Sequence, residues 1–266
     1  MATRPGPSPR VRRNRLIAGL VVAMLVVVAS AWVIAALAPS AGSASPSPSP
    51  SATPTATPRP APTATATPTP VDTFDKAAHS IDDPDSIWVV VDKLRPLNPA
   101  DYEPSDLVVV PVAHTWEPLM RAEAADAIVR MFQAAADEAG LSLASNSAYR
   151  SYGSQERIYD GDDTLTARPG FSEHQTGLTM DIGAESGYCS LDVCLADTAE
   201  GQWLRDNAHR FGFLLRYPAD KVDVTGYQFE PWHFRYIGTE LALEMREKGI
   251  TTLEEFFGLP PAPNYE

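Results

Sequence analysis

Two of the five histidines lie in sequence contexts that suit a metal site. His174 precedes Asp181 in SEHQTGLTMD, and His233 follows Glu230 in EPWH. Zinc binds imidazole nitrogen and carboxylate oxygen in tetrahedral geometry, and a catalytic site leaves the fourth position to water. A further carboxylate can accept the proton of that water. Two imidazoles, one ligating carboxylate and a further acid are therefore the parts of a catalytic zinc site, and an ordinary His–Asp hydrogen bond remains the alternative.

The spacing of these residues does not match the helical zinc-hydrolase motif. The chain contains no H-E-x-x-H sequence, which would place two histidines on one helix face. Pro231 prevents Glu230 and His233 from lying inside a regular helix, so we expect a turn or the entry to a strand there. The remaining histidines lack a comparable carboxylate pattern, and we assign them to structure or surface: His79, His114 and His209.

Helices and short strands are predicted to position these residues. Apolar spacing predicts an amphipathic helix over 118–139, with Pro118 in its first turn and Gly140 at its end. Irregular mixing of helices and strands favours an α+β fold over a doubly wound sheet. The predicted strands or extended segments are 87–91, 106–112, 141–147, 177–182, 213–216 and 233–237. The other predicted helices are 152–160, 199–211 and 240–248, with a polar loop at 161–172.

The amino-terminal part of the chain is predicted to anchor it in a membrane. Residues 1–15 form a basic tail with five arginines, and residues 16–38 are 23 residues without a charge. A membrane-spanning helix needs about 20 such residues. The arginines place the N-terminus in the cytoplasm and everything after the span outside the membrane. A long cleaved signal peptide is the alternative, because the ALA sequence at 36–38 resembles a cleavage site.

Residues 39–70 are predicted to be a disordered linker. Ten of these 32 residues are proline, and most of the others are Ser, Thr or Ala. Such a segment has no core to bury and favours an extended polyproline-II conformation. At about 3.1 Å per residue it reaches roughly 100 Å. That length would hold a domain away from the membrane and inside a cell wall.

The remaining 196 residues, 71–266, are long enough for one domain with its own core. The first 70 residues hold six of the 21 basic residues and no acidic residue. Residues 71–266 therefore contain 15 basic and all 34 acidic residues, which gives this part of the chain a net charge of −19. This charge argues against nucleic acid as a partner, because phosphate binding needs a basic surface. It suits a soluble, exported domain.

Cys189 and Cys194 are the two cysteines of the chain. A two-cysteine structural zinc site would need two further ligands. In an exported domain, we expect a disulfide that closes a small loop, and two free thiols are the alternative.

Five segments resemble the VanY-type D-alanyl-D-alanine carboxypeptidases, which are zinc peptidases of bacterial peptidoglycan. The most specific of them reads S-x-H-x-x-G-x-T-x-D and is followed by E-P-W-H, with Thr179 where the family usually has Ala. The resemblance covers about residues 86–248. The segments are 91–108, 147–155, 172–182, 203–218 and 225–238.

The resemblance implies a fold and a set of roles. It implies a compact single α+β catalytic domain, in which a small antiparallel sheet with flanking helices carries the zinc ligands His174, Asp181 and His233. It also implies that Glu230 is the catalytic base and that Arg150 polarises the scissile carbonyl or holds substrate charge. The implied or candidate substrate contacts are Ser172, Gln155 and Tyr149.

Three functions compete for this sequence. The leading hypothesis is a membrane-anchored zinc D,D-carboxypeptidase that removes the terminal D-alanine of peptidoglycan stem peptides, with a monomeric catalytic domain in the cell wall. The second is an L,D-carboxypeptidase acting on tetrapeptides. The third is a non-catalytic, zinc-stabilised module that binds the cell wall. Glu230 and Arg150 argue against that module, because a binding domain needs neither.

Overall fold

The computed structural model describes residues 74–266. The predicted basic tail, membrane span and linker, residues 1–15, 16–38 and 39–70, lie outside the described residues. Within 74–266, no helix has the length and apolar character needed to cross a bilayer.

Six strands and six helices occur in residues 74–266, which belong to one compact unit. The strands are β1 (Leu107–Val109), β2 (Leu119–Arg121), β3 (Leu143–Ser147), β4 (Thr179–Ala184), β5 (Phe213–Leu215) and β6 (His233–Tyr236). The helices are α1 (Ala122–Ala139), α2 (Tyr152–Ile158), α3 (Ala199–Asn207), α4 (Val222–Thr225), α5 (Thr239–Lys248) and α6 (Leu253–Phe257). Short 3₁₀ turns lie at Glu173–Thr176, Val193–Asp197 and Ala208–Phe211.

The strands form two small antiparallel sheets. β1 and β2 make a two-stranded ribbon, and the other four strands form a sheet in the order β3-β4-β6-β5. In this sheet Asp181 of β4 lies directly opposite His233 of β6. The mixture of helices with small antiparallel sheets agrees with the predicted α+β class.

The two faces of the central strands have different environments. Met180 of β4 and Phe234 of β6 are buried in the main apolar core, together with the inner face of α1. Because side chains alternate along a strand, their neighbours Asp181 and His233 face the other way. The sheet therefore separates an apolar core from a polar site, and the strand pairing brings the two site residues together.

The amphipathic helix is shorter than its apolar spacing predicts. α1 begins at Ala122 rather than Pro118, because residues 119–121 pair with β1 as a strand and Met120 is buried there. Its end agrees with the prediction, since Gly140 adopts a left-handed conformation with φ of 67°. Tertiary pairing thus replaces the first predicted turn of the helix.

Of the two predictions for residues 87–91, a strand or an extended segment, the strand does not form. These residues join neither sheet, and the nearest pairing is a single bridge between Asp92 and Arg95. Their apolar character reflects burial instead, since Trp88 is 1% exposed and its indole N–H donates to the carbonyl of Ile237 at 2.9 Å. An apolar run without alternation does not distinguish a buried strand from a buried irregular segment.

The other predicted elements are present with shifted ends. The strand predicted over 177–182 is β4, and the helix predicted over 199–211 is α3 followed by a 3₁₀ turn. The polar loop predicted at 161–172 contains no helix or strand. No sequence pattern predicted α4, α6 or the turns Glu173–Thr176 and Val193–Asp197, all of which are five residues or shorter.

Candidate active site

His174, Asp181 and His233 meet in one buried cluster. Each offers a ligand atom, and these atoms lie within 4.8 Å of one another. His174 Nε2 is 3.4 Å from Asp181 Oδ2, and His233 Nδ1 is 3.5 Å from Asp181 Oδ1. Among the described residues, no group donates a hydrogen bond to the buried Asp181 Oδ1. A buried oxygen without a donor is unusual and points to a missing partner such as a cation.

A tight turn delivers His174 to the cluster. The turn Glu173–Thr176 ends at Gly177, whose φ is 68°, and the chain then enters β4. A Cβ at Gly177 would lie 2.9 Å from the Leu107 side chain, so only glycine fits both the conformation and the space. The seven-residue separation of His174 and Asp181 therefore corresponds to the rest of this turn and the first residues of β4.

Each imidazole has an inner nitrogen that faces Asp181 and an outer nitrogen that points away from it. Hydrogen bonds from the outer nitrogens orient both rings. His174 Nδ1 lies 2.7 Å from the carbonyl of Ala148, which can only accept, so this nitrogen carries the proton. His233 Nε2 lies 3.2 Å from Glu173 Oε2 and donates to that carboxylate. Both contacts leave the nitrogen that faces Asp181 as an acceptor in the neutral ring. This is the arrangement found around metal-bound histidines.

The three side chains fit a zinc ion. They supply two imidazole nitrogens and one carboxylate oxygen, which is the donor set of a catalytic zinc site with one position left for water. The unsatisfied Asp181 oxygen and the fixed ring orientations are the structural observations that support the fit.

The electrostatics of the two histidines differ. Burial, and then the nearby Arg150 charge, lower the pKa of His174 and keep it neutral. Burial alone would lower the pKa of His233 as well, but the surrounding carboxylates raise it well above the usual value. Those carboxylates are Asp181, Glu173 and Glu230. In this negative surrounding, His233 favours a positive charge at its inner nitrogen, whether from a proton or from a metal ion.

Glu230 lies at the edge of the cluster. The EPWH segment forms a turn in which the backbone N–H of His233 donates to the carbonyl of Glu230 at 3.2 Å, as expected from Pro231. The turn brings Glu230 Oε2 to 3.4 Å from His233 Nδ1. Burial raises the pKa of Glu230, and contact with His233 opposes that rise. A carboxylate whose conjugate acid has a raised pKa is a stronger base than an ordinary carboxylate, which suits a group that accepts and returns a proton.

Arg150 lines the same cavity as Glu230, and its backbone N–H donates to the carbonyl of His174 at 3.2 Å. Its Nε donates to Gln155 Oε1 at 3.0 Å, and another guanidinium nitrogen donates to Ser147 Oγ at 3.3 Å. Burial lowers the pKa of Arg150, while the charges of Asp181 and Glu230 oppose the change. Two side chains therefore hold a guanidinium group at the wall of the site.

The predicted substrate contacts divide into two groups. Ser172 is buried and lines the cavity. Gln155 and Tyr149 do not line it. Gln155 accepts from Arg150 and donates through Nε2 to the carbonyl of Ala167 at 2.7 Å, so both ends of its amide are occupied. The structure places Gln155 behind Arg150 as its support rather than as a substrate contact.

The site opens into a cavity of about 240 Å³. Tyr217 and Trp232 line its wall, and the ring centroids of Tyr217 and His233 are 4.6 Å apart. Sites for drug-sized ligands are typically about 300–1,000 Å³. The cavity therefore suits the end of a chain rather than a large whole molecule.

A buried charge network behind His233 was not found from the sequence. Glu173 Oε1 accepts from Arg216 and from Arg235, both at 2.9 Å, while its other oxygen contacts His233. Arg216 also donates to both oxygens of Glu254, at 3.0 and 2.6 Å. The side chains of both arginines and both glutamates are fully buried. Single arginines in the apolar segments FLLRYP and HFRY were the available signal, because a buried arginine requires a carboxylate partner.

The cysteines and the remaining histidines lie outside this cluster. Cys189 and Cys194 form a disulfide, which confirms the predicted bond. His79 packs edge-on against Trp88, and His114 Nδ1 contacts the carbonyl of Val112.

Comparison with known proteins identifies the family. A sequence profile of VanY, described as D-alanyl-D-alanine carboxypeptidase, matches residues 117–239. The putative carboxypeptidase YodJ of Bacillus subtilis (strain 168) is 43% identical over 192 residues, which is 67% of this chain and 69% of that protein. The chain belongs to the VanY family. The profile range of this VanY-family chain contains Arg150, the three cluster residues and Glu230.

Solved structures agree with the VanY-family assignment. The LdcB LD-carboxypeptidase is 43% identical with a TM-score of 0.62, and the match covers 66% of this chain and 87% of that chain. The vancomycin resistance D,D-pentapeptidase VanY from a VanB-type cassette, solved with Zn(II), is 28% identical with a TM-score of 0.54. That match covers 64% of this chain and 97% of that chain. The protein is thus a carboxypeptidase of the family that acts on peptidoglycan peptides.

Proposed function

We propose that this protein is a zinc-dependent D,D-carboxypeptidase that removes the C-terminal D-alanine from peptidoglycan stem peptides. The observation that carries the proposal is the buried cluster of His174, Asp181 and His233, with Glu230 and Arg150 beside it. The Zn(II) bound by the related D,D-pentapeptidase supports the choice of metal, and that relative's activity supports the D,D bond.

The proposed zinc ligands are His174 Nε2, His233 Nδ1 and an oxygen of Asp181. When bound there, zinc supplies a Lewis acid that polarises the scissile carbonyl and lowers the pKa of coordinated water toward about 7. The residues around it hold the two rings in the acceptor orientation. His174 is thereby prepared to bind without a change of tautomer, and His233 needs only to lose the proton that its inner nitrogen favours.

Glu230 is proposed to carry the proton during hydrolysis. Its carboxylate accepts a proton from the attacking water and returns it to the amine of the departing D-alanine. Burial raises the pKa of Glu230, which favours the protonated form that the second step requires.

Arg150 is proposed to bind negative charge on the substrate. Gln155 and Ser147 fix the orientation of its guanidinium group. Arg150 can then pair with the terminal carboxylate of the peptide or with the oxyanion that forms on the scissile carbonyl. Ser172 is a further proposed substrate contact, because it is buried and lines the same cavity.

An L,D-carboxypeptidase activity on tetrapeptides is the second candidate. The 43% identity and TM-score of 0.62 with the LdcB LD-carboxypeptidase favour it. In this chain both candidate activities would use the proposed zinc ligands and Glu230, and they would differ in the configuration of the residue before the cleaved bond.

Mass spectrometry of defined muropeptides tests the function. The purified protein is incubated with pentapeptide and tetrapeptide substrates, with and without a chelator. We expect loss of one D-alanine from the pentapeptide, abolished by the chelator and restored by zinc. Cleavage of the tetrapeptide alone would establish the L,D activity, and binding without cleavage of either would establish a non-catalytic wall-binding module.

The location of the enzyme is also part of the proposal. Residues 16–38 are proposed to span the membrane once, with the N-terminus inside and residues 39–70 as the tether. The catalytic domain would then act as a monomer outside the membrane, within the cell wall where its substrate lies. The run of 23 uncharged residues after five arginines supports this topology.

A further inference from the structure

Three exposed aliphatic side chains of residues 74–266 converge on the active-site cavity. Ile158, Leu165 and Leu191 are 47%, 43% and 48% exposed, and all three line the cavity. They come from the end of α2, the loop 161–172 and the disulfide loop 189–194. Single exposed apolar residues are ordinary, but a group of them around a cavity marks a binding surface. We call these three residues the collar.

The disulfide loop holds Leu191 in place. Cys189 and Cys194 close the loop, and Asp192 Oδ1 accepts from the backbone N–H of Cys194 at 2.9 Å. Cys189 and Leu191 have φ values of 56° and 51°, a left-handed conformation that these residue types rarely adopt. Such conformations persist where the surrounding structure holds them, and they concentrate at functional sites.

The base of this loop is anchored in the core. Leu195 is fully buried, and its carbonyl accepts from Thr198 Oγ1 at 2.8 Å. At Gly201 of α3, an added Cβ would lie only 1.9 Å from that carbonyl oxygen, so the loop base and the helix touch backbone to backbone. The disulfide closes the loop, and the contact between Leu195 and Gly201 packs its base against α3. These two constraints hold Leu191 in position without a ligand.

The loop that carries Leu165 is fixed as well. Leu165 lies on a loop in which Arg168 pairs with Asp163 at 2.6 Å. The backbone N–H of Arg168 also donates to the hydroxyl oxygen of Tyr265 near the end of the chain, at 2.9 Å. The collar is therefore preorganised, and a ligand that binds it loses little free energy in ordering it.

We propose that Leu191 is a specificity-determining residue that, with Ile158 and Leu165, binds a long aliphatic side chain of the peptide on the N-terminal side of the cleaved bond. This inference rests on the proposed function. In the proposed function the cleaved bond lies beside Arg150, Glu230 and the zinc ligands, which line the cavity, so the preceding part of the peptide leaves through the mouth. Three aliphatic contacts spread around that mouth suit an extended methylene chain better than a methyl group.

Steady-state kinetics of the full-length protein test the proposal. Two peptides are compared that share the cleaved bond and differ in the next residue toward the N-terminus, norleucine or alanine. Leu191→Asn removes the apolar contact, while asparagine tolerates the left-handed conformation. We expect KM for the norleucine peptide to rise about 3- to 10-fold, because part of a leucine-sized contact is lost, with kcat little changed. KM for the alanine peptide should change less than 2-fold.

Val193→Asn is the matched control. Val193 is 57% exposed in the same loop and does not line the cavity. The kinetic constants of this variant should equal those of the wild type. Opening the loop with Cys189→Ser and Cys194→Ser should raise KM for the norleucine peptide in the same direction as Leu191→Asn, while the zinc content stays at one per chain.

Two results would refute the proposed role of the collar in binding the peptide. One is an equal effect of Leu191→Asn on both peptides, and the other is no effect on either. Calorimetric binding of the two peptides to the zinc-loaded Glu230→Gln protein separates this inference from the proposed function. If the wild type cleaves neither peptide, the proposed activity is wrong. If the protein binds the norleucine peptide more tightly and Leu191→Asn abolishes this preference, the role of the collar in binding is still established. If no such preference is measured, that role is refuted.

Discussion

The outer hydrogen bonds of two imidazoles determine what His174 and His233 can bind. Each ring has two nitrogens, and the group that accepts from one decides the state of the other. The carbonyl of Ala148 and the carboxylate of Glu173 take the outer protons, so in the neutral rings both inner nitrogens face Asp181 as acceptors. The raised pKa of His233 means that its inner nitrogen favours a positive charge there, from a proton or from a metal ion. The ability of the site to bind a metal therefore depends on which nitrogen of each imidazole faces Asp181, and the presence of two histidines alone does not determine it.

Glu230→Gln should separate catalysis from metal binding. Glu230 is proposed as the base and not as a ligand, so the variant should bind one zinc per chain and stay folded. General acid–base assistance is typically worth about 10²–10⁴-fold, so turnover should fall by at least that amount. Metal analysis, circular dichroism and peptide hydrolysis measure the three properties. Near-normal hydrolysis by Glu230→Gln would contradict the mechanism.

His233→Ala provides the contrasting case. It removes a proposed ligand, and zinc content and activity should therefore disappear together. Retention of zinc at the wild-type stoichiometry would rule out His233 as a ligand.

Arg150→Lys tests the guanidinium group. Lysine keeps the positive charge but lacks the planar fork that pairs with a carboxylate or oxyanion through two hydrogen bonds. It also cannot reproduce the contacts to Gln155 and Ser147. We expect a fall in kcat/KM of at least 10-fold at unchanged zinc content. Unchanged kinetics would show that Arg150 makes no directed contact with the substrate.

The register of β4 against β6 sets the geometry of the site at the level of elements. Asp181 and His233 are direct partners across this pair of strands. A slip of one residue would turn the polar side chains into the core and the apolar ones into the site. The buried network reinforces this arrangement, because Glu173 binds Arg235 of β6 and Arg216, which follows β5.

Glu254→Gln should reveal how much α6 contributes to the site. Glu254 forms two hydrogen bonds with the buried Arg216, and the variant would leave that charge without its second carboxylate. Breaking a buried ion pair costs about 3–5 kcal/mol. Urea unfolding should show a loss of this size. The neighbouring Glu255→Gln is the control, because its exposed pair with Lys221 should contribute no more than about 1 kcal/mol. Equal effects of the two changes would contradict the importance of the network.

The chain as a whole joins a strongly acidic catalytic domain to a basic, apolar amino-terminal region. Its six amino-terminal arginines and its 34 acidic residues lie in different parts of the chain. This asymmetry, with the proline-rich segment between, is typical of a domain held outside a membrane by a tether.

Fractionation of cells that express the full chain tests this organisation. The protein should sediment with membranes, and external protease should reach the catalytic domain in wall-stripped cells. Replacing two apolar residues of the span by arginine should weaken its membrane association, because charge at the bilayer centre is costly. Recovery of a soluble protein that begins near Pro39 would show instead that residues 16–38 are a cleaved signal peptide.

The sequence alone was sufficient to predict features that depend on neighbouring residues. The turn at EPWH follows from Pro231, the end of α1 from Gly140, and the disulfide from two cysteines in a domain that is predicted to be exported. The candidate residues His174, Asp181 and His233 were likewise evident from residue type and from the family resemblance. Each of these inferences uses information contained within a few neighbouring positions or within a motif.

Only the tertiary structure decided the features that depend on distant partners. Residues 119–121 carry a helical pattern but form a strand, because β1 pairs with them. Gln155 looks like a substrate contact but supports Arg150 from behind. The pairing of Arg216 with Glu254 joins positions 38 residues apart. Local patterns specify which side chains are available, whereas the packing of the whole chain specifies which of them meet, and no periodicity encodes that choice.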